Sequence, residues 1–283
     1  MSRPNLVRAV SYLLFLLLLT AAFCVLNFPS EPLTRTVNGW LAGVSDGKLR
    51  AASTRVSFPL ALTLEGMTLD WEGSSRALGR ARVSPRLLAL LTGRRKAAAR
   101  VSGPWGHSQM TFSLKGDQWE LGVLSLRVDL GDLTPAGEGD VAADGVVTGT
   151  LHLAAPGSGE PLSGEGSLAG QGVTVQGGVL DSLGLSPFRI GSFNGFFTVE
   201  DNVLTLGENR VEGDLAGSAR GTVRLAPGNL KASRLDLFLD LRPAPEARDK
   251  VEPLFTLLGA RQSADGRVNL RVRGTLARPT IMP

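Results

Sequence analysis

Two histidines (His107 and His152), one cysteine (Cys24) and a scatter of carboxylates are the side chains from which bond-making chemistry would have to be assembled. A Ser–His–Asp relay needs a histidine with a nucleophile beside it. His152 falls on the polar side of an alternating strand, His107 follows Trp105-Gly106 at a turn, and neither stands in a Gly-x-Ser-x-Gly frame. Glu138, Asp140 and Asp144 could supply a carboxylate pair, but they occupy a Gly-rich loop without the Asp-x-Asp-x-Asp-Gly spacing of a calcium site. Gly164-Glu165-Gly166 and Gly170 neither follow a buried strand nor open a helix, as a dinucleotide loop must. A single Cys excludes an intramolecular disulfide, a Cys-based zinc site and an iron–sulfur cluster. Trp40, Trp71, Trp105 and Trp119 read as core anchors or interface girdles. The expectation is a non-enzyme with no catalytic residue, metal or cofactor.

The 283 residues are 43% hydrophobic and 20% charged, the balance of a folded chain with a core. The 35 glycines have no G-X-Y period and point to many turns and bulges between short strands. Residues 9–28, AVSYLLFLLLLTAAFCVLNF, carry no charge over twenty positions, with Leu13, Leu14, Phe15, Leu16, Leu17, Leu18 and Leu19 at their heart. As a helix they would span roughly 30 Å, a hydrocarbon core. Arg3 and Arg8 precede the segment, which keeps residues 1–8 in the cytoplasm and sends 29–283 across the membrane. The competing reading is a cleaved signal peptide with a small-residue site at Thr20-Ala21-Ala22; the apolar run continues six residues beyond that site, which favours the anchor. A lipid-modified Cys24 is disfavoured by the large Phe23 before it.

The elements behind this segment alternate with period two. Leu235, Leu237, Leu239 and Leu241 interleave with mostly charged residues from Arg234 to Arg242, and Val268, Leu270 and Val272 repeat the arrangement. Leu124, Leu126, Val128 and Leu130, then Val147, Leu151 and Leu153, then Leu60, Leu62 and Leu64 do the same. Each reads as a strand with one dry and one wet face, which suits an antiparallel sheet. Turn chemistry at Lys115-Gly116-Asp117, Asp144-Gly145, Glu200-Asp201-Asn202, 226–229 and Asp265-Gly266 predicts roughly ten to fourteen strands. Two helices are expected: one over Ser84–Gly93, with Ser84 as N-cap and Pro85 at the first helical position, and one within Pro243–Gly259, broken or delayed by Pro253. The fold class is all-β, one elongated domain with one transmembrane helix, one or two short helices and a modest hinge near 155–161. A row such as Leu235–Leu241, at ~100 Å² per residue, contributes roughly 10 kcal/mol on burial before entropy is charged, so curling, a second sheet or a greasy ligand must cover it.

Charge is polarised. Eight bases, Arg76, Arg80, Arg82, Arg86, Arg94, Arg95, Lys96 and Arg100, occupy 25 residues with no acid, while residues 101–200 carry a net −8. The basic stretch is a candidate face for anionic headgroups or an acidic partner, beside the plainer reading of a solvated surface. Aromatics do not interleave with the bases, so nucleic acid is not an expected partner.

Three segments carry a resemblance. Phe58-Pro59-Leu60-Ala61-Leu62-Thr63-Leu64-Glu65-Gly66-Met67-Thr68-Leu69 resembles the first exported strand unit of AsmA-like proteins, and 83–94, VSPRLLALLTGR, resembles their short Leu-Leu-x-Gly-basic helix. Residues 266–280, GRVNLRVRGTLARPT, are similar to their closing strand, where Gly-Thr-Leu precedes a Pro. With the near-terminal helix 252–259, EPLFTLLG, the chain most resembles the protein N (GspN) family of bacterial type II secretion systems. That resemblance implies a single-pass inner-membrane accessory with a periplasmic β-body, other inner-membrane secretion subunits as partners, and no active site. Related folds are curled sheets, half-open rolls whose concave apolar face can shelter lipid acyl chains. An acyl-chain carrier is therefore the alternative function.

Overall fold

The structure, a computed structural model, describes residues 30–282 except 58–60, 72–73, 87–88, 90–92, 133–141, 158–159, 178, 183, 185–186, 227–228, 258, 261 and 264–265. The expected anchor, residues 9–28 with Leu13–Leu19, lies outside the described residues, as do Leu60, Glu138 and Asp140. Among the described residues no helix is long and apolar enough to cross a membrane. The chain divides into two compact units, Met1–Leu87 with Ala97–Gly103, and Leu88–Lys96 with Pro104–Pro283.

In the first unit, helix α1 (Ser30–Ser45) precedes strands β1 (Leu49–Ser57), β2 (Ala61–Trp71), β3 (Ser74–Pro85) and, from Ala97 onward, β4 (Arg95–Gly103), each paired antiparallel with the next. The period-two reading missed α1, although Ser30-Glu31-Pro32 is a helix-start signature and Val37 and Leu41 stand one turn apart. Those two pack on Ala51, Leu64, Met67 and Ala81 of the sheet. Left-handed Gly47 (φ 78°) ends the helix, its N–H bonded to Ala42 O at 2.8 Å. A register shift between Leu64 and Met67, at left-handed Gly66 (φ 60°), keeps both side chains on the helix-covered face.

Helix α1 also closes an edge. The Asn38 amide donates from Nδ2 to Ala51 O at 2.9 Å and accepts at Oδ1 from Ala51 N–H at 2.8 Å, as a neighbouring strand would. Thr34 Oγ1 accepts from Thr54 N–H at 3.0 Å. Two side chains thus stand in for a partner strand along the outer rim of β1.

The second unit contains β5 (Gly106–Lys115), β6 (Gln118–Asp129), β7 (Ala142–Ala155), β8 (Ser163–Gln176), α2 (Val179–Ser182), β9 (Phe188–Glu200), β10 (Val203–Glu212), β11 (Leu215–Arg224), β12 (Arg234–Pro243), α3 (Arg248–Leu257), β13 (Val268–Thr275) and β14 (Arg278–Met282). Every strand pairs antiparallel with its sequence neighbour. Fourteen strands among the described residues agree with the expected number and class. The turn at Asp201 (φ 51°) and Asn202 (φ 62°) is the left-handed pair a two-residue hairpin demands. The Ala155–Pro161 stretch joins β7 to β8, whose ends pair at Ala154 and Ser163.

Four local readings are corrected. Ser84 and Pro85 do not start a helix; they end β3, opposite Ala98 and Ala97, because the β3–β4 ladder runs to its last residue. Asp144-Gly145 is not a turn but a bulge inside β7, where Gly145 (φ 113°) takes up a register shift. A bulge between Val123 and Leu126 reverses the phase of β6, so Leu124 leaves its expected row and is 59% exposed. Pro253 does not break the second helix: it sits exposed inside α3, while Val251 and Phe255, one turn apart, are buried against Val268 and Leu270.

Candidate functional site

The ladders of the second unit place side chains in lateral rows that cross all ten strands. One row reads Met110, Val123, Leu151, Gly166, Phe197, Leu206, Gly221, Leu237, Val272 and Ile281, each residue directly opposite the next. The adjacent row on the same face reads Phe112, Leu121, Leu153, Gly164, Val199, Leu204, Val223, Leu235, Gly274 and Pro279. Neither contains a polar side chain. At ~4.8 Å between strands, the two rows extend roughly 43 Å.

This face is only partly covered. Val199 is the one side chain of the two rows that is buried; Phe112 and Ile281 are 44% exposed and the rest are half-buried, Gly and Pro aside. Helix α3 shields one end, where Val251 and Phe255 meet Val268, Leu270, Leu239 and Leu241. The seven residues expected to form a dry face therefore share it but differ in cover. Val268 and Leu270 are buried, whereas Leu235, Leu237 and Val272 remain half-exposed beyond the helix.

Glycines shape this surface. A Cβ on Gly166 would sit 2.3 Å from Phe197 Cζ, and one on Gly170 2.1 Å from Phe193 Cε1, so both rings lie flat over backbone. Gly166 and Gly170 of the apparent dinucleotide motif are thus seats for aromatic rings on β8, as Gly149 is for Leu168, whereas Gly164 lies against the His152 carbonyl of β7. The recoverable signal was Gly166 and Gly170 four apart, facing Phe193 and Phe197 four apart one strand on. The next row, Leu126, Gly149, Leu168 and Gly195, ends at Asn209, whose Oδ1 accepts the Phe196 N–H at 2.8 Å.

The opposite face is mostly polar, although Leu124, Phe196 and Phe238 stand exposed on it. Arg271 chelates Asp236 through Nε and Nη2, both at 2.8 Å, while Arg273 Nε reaches Asp236 at 3.3 Å. The Arg271 guanidinium also lies 4.4 Å from the centroid of the Phe238 ring. The Arg271 hydrogen bond, helped by Arg273, lowers the Asp236 pKa to about 2, and the same bond raises that of Arg271. Two open recesses of about 420 and 400 Å³ lie on this face, one around Arg210, Ser218 and Arg242, the other around His107, Thr148 and Ser167. His152 is exposed opposite Glu165, and His107 is exposed opposite Arg127. Asp144 Oδ1 accepts the N–H of Gly145 at 2.7 Å. Among the described residues no group of three or more His, Cys, Asp or Glu could hold a metal ion.

In the first unit, the face opposite α1 carries part of the basic stretch. Arg80 and Arg82 project from β3, Arg82 directly opposite Arg100 on β4, and Arg86 follows β3, exposed. Arg80 Nη2 bonds Glu65 Oε1 at 3.1 Å. Arg94, Arg95 and Lys96 belong to the other unit, Arg94 after left-handed Gly93 with its N–H on Ala89 O at 3.0 Å.

No family model, curated protein or solved structure matches the chain.

Proposed function

We propose that the chain is a non-catalytic, membrane-anchored component of a type II protein secretion system, with its body in the periplasm, and that the task of its ten-stranded unit is to hold lipid acyl chains. The observation behind the lipid task is the pair of polar-free rows left half-exposed beyond α3. Apolar area left in water is unfavourable at ~25 cal/mol per Å², so acyl chains covering ~400 Å² would supply roughly 10 kcal/mol before the expense of ordering them. Rings lying flat over Gly166 and Gly170 give a smooth surface suited to methylene chains rather than to one shaped ligand. A curled, half-open roll is the arrangement that brings such rows around a chain. Native mass spectrometry of the full chain released from membranes tests this: bound phospholipid is expected, and a lipid-free protein would overturn it.

The secretion assignment is supported by the resemblance to protein N: residues 61–69 lie on β2, 252–257 on α3, and 266–280 supply the β13–β14 hairpin that closes the second unit, whereas 83–85 end β3 and do not open the helix the resemblance implies. Deleting the gene in its own bacterium should leave type II substrates in the periplasm. Neighbouring genes should encode a secretion ATPase and a secretin. Normal secretion from the deletion strain would remove this half of the proposal without touching the other.

A further inference from the structure

Four strands of the first unit align one residue each into a single lateral row, Arg55 opposite Thr63, Thr63 opposite Arg82, and Arg82 opposite Arg100. All three arginines are exposed, and among the described residues none has an acidic partner. Glu65, the carboxylate one step along the same face, is already held by Arg80 at 3.1 Å. Like charges directly opposite on neighbouring strands repel, so the Arg82–Arg100 pair weakens the ladder unless an anion lies between them.

The row has a defined place relative to α1. Asn38 bonds Ala51 and Thr34 bonds Thr54, so α1 runs antiparallel to β1, and its Ser30 end lies beside the end of the sheet that carries Arg55. At 1.5 Å per helical residue, Ser30 is only about 6 Å along the axis from Thr34. The uncharged stretch 9–28 ends two residues before Ser30. Basic groups so close to the exit of a membrane span meet the headgroup layer, where each contributes about 1 kcal/mol of attraction to an anionic surface.

We infer that Arg55, Arg82 and Arg100 form a docking row for the anionic phospholipid headgroups of the membrane in which the chain is anchored, fixing the first unit against the bilayer. The inference rests on the anchor but not on the acyl-chain task. The test uses the full chain in nanodiscs of phosphatidylcholine alone or with 30% phosphatidylglycerol, footprinted with phenylglyoxal and read by peptide mass spectrometry.

Labelling of Arg55, Arg82 and Arg100 should fall several-fold in the anionic discs and recover in 0.5 M salt. Arg50, at the far end of β1, should label equally in both. An unchanged pattern in chains that co-elute with discs would overturn the row alone. A chain that does not enter discs would overturn the anchor and the row together. Protection that follows an added acidic protein, with the lipid making no difference, would assign the face to a protein partner and overturn the lipid reading.

Discussion

Arg271 grips Asp236 with two parallel hydrogen bonds of 2.8 Å while its guanidinium plane covers the ring of Phe238, so one side chain crosses two neighbouring positions of β12. The fork geometry, rather than charge alone, makes the contact. It belongs to the polar face, behind the strands that carry Leu235 and Leu237.

Acid should loosen this clamp in a defined window. The folded pKa of Asp236 lies near 2, below its ordinary 3.8, so its contribution is fully present above about pH 4 and is lost as pH falls through 2. Thermal unfolding of Asp236→Asn should show a lower midpoint than the wild type at pH 7, and the two midpoints should converge as pH approaches 2. Parallel curves over the whole range would refute the assignment.

Gly166 and Phe197 should be energetically coupled. Gly166→Ala puts a methyl group into the ring, an overpacking that costs about 1–3 kcal/mol. Combined with Phe197→Ala, which removes the ring, the glycine substitution should become nearly neutral. Denaturant unfolding of the four proteins in the cycle gives the coupling, and strict additivity would contradict the seating of the ring.

Lys250 ties α3 to the strands. Its Nζ bonds Asp214 Oδ2 at 3.0 Å and the carbonyl of Pro187, while the same carboxylate oxygen accepts the Arg189 N–H at 2.9 Å. Both side chains are largely shielded, at 28% and 14% exposure. Asp214→Ala should destabilise the unit by about 1.5–3 kcal/mol. Hydrogen exchange should show the α3 amides released first.

Asn38→Asp removes the donor to Ala51 O yet keeps the size of the side chain. A loss of about 1–3 kcal/mol is expected. With the rim of β1 exposed, the variant should also self-associate at high concentration, which light scattering would detect.

What the sequence disclosed was the alternation. Leu235–Leu241 against Arg234–Arg242 could be assigned to faces by eye, and the ladder to β13 keeps that phase. Asp236, however, reads in the alternation as one more charged residue of the wet face; the clamp depends on Arg271 and Arg273, over thirty positions away. Gly145 and Gly116 illustrate a second limit. Both have positive φ, but one bulges within β7 and the other turns between β5 and β6, and only the partner strand distinguishes them. The arginine row was hidden for the same reason. The density of bases from Arg76 to Arg100 was plain, but Arg55 joins Arg82 only through the register of β2.

The pairing of every strand with its immediate predecessor in each unit has a kinetic consequence. Among the described residues no ladder joins strands that are not sequence neighbours, so most closures are short, the long one being β12 to β13 across α3. A polypeptide delivered amino end first can add one hairpin arm at a time to a growing template, as a zip fastener closes. The last arm to arrive, β14, needs only β13 to receive it.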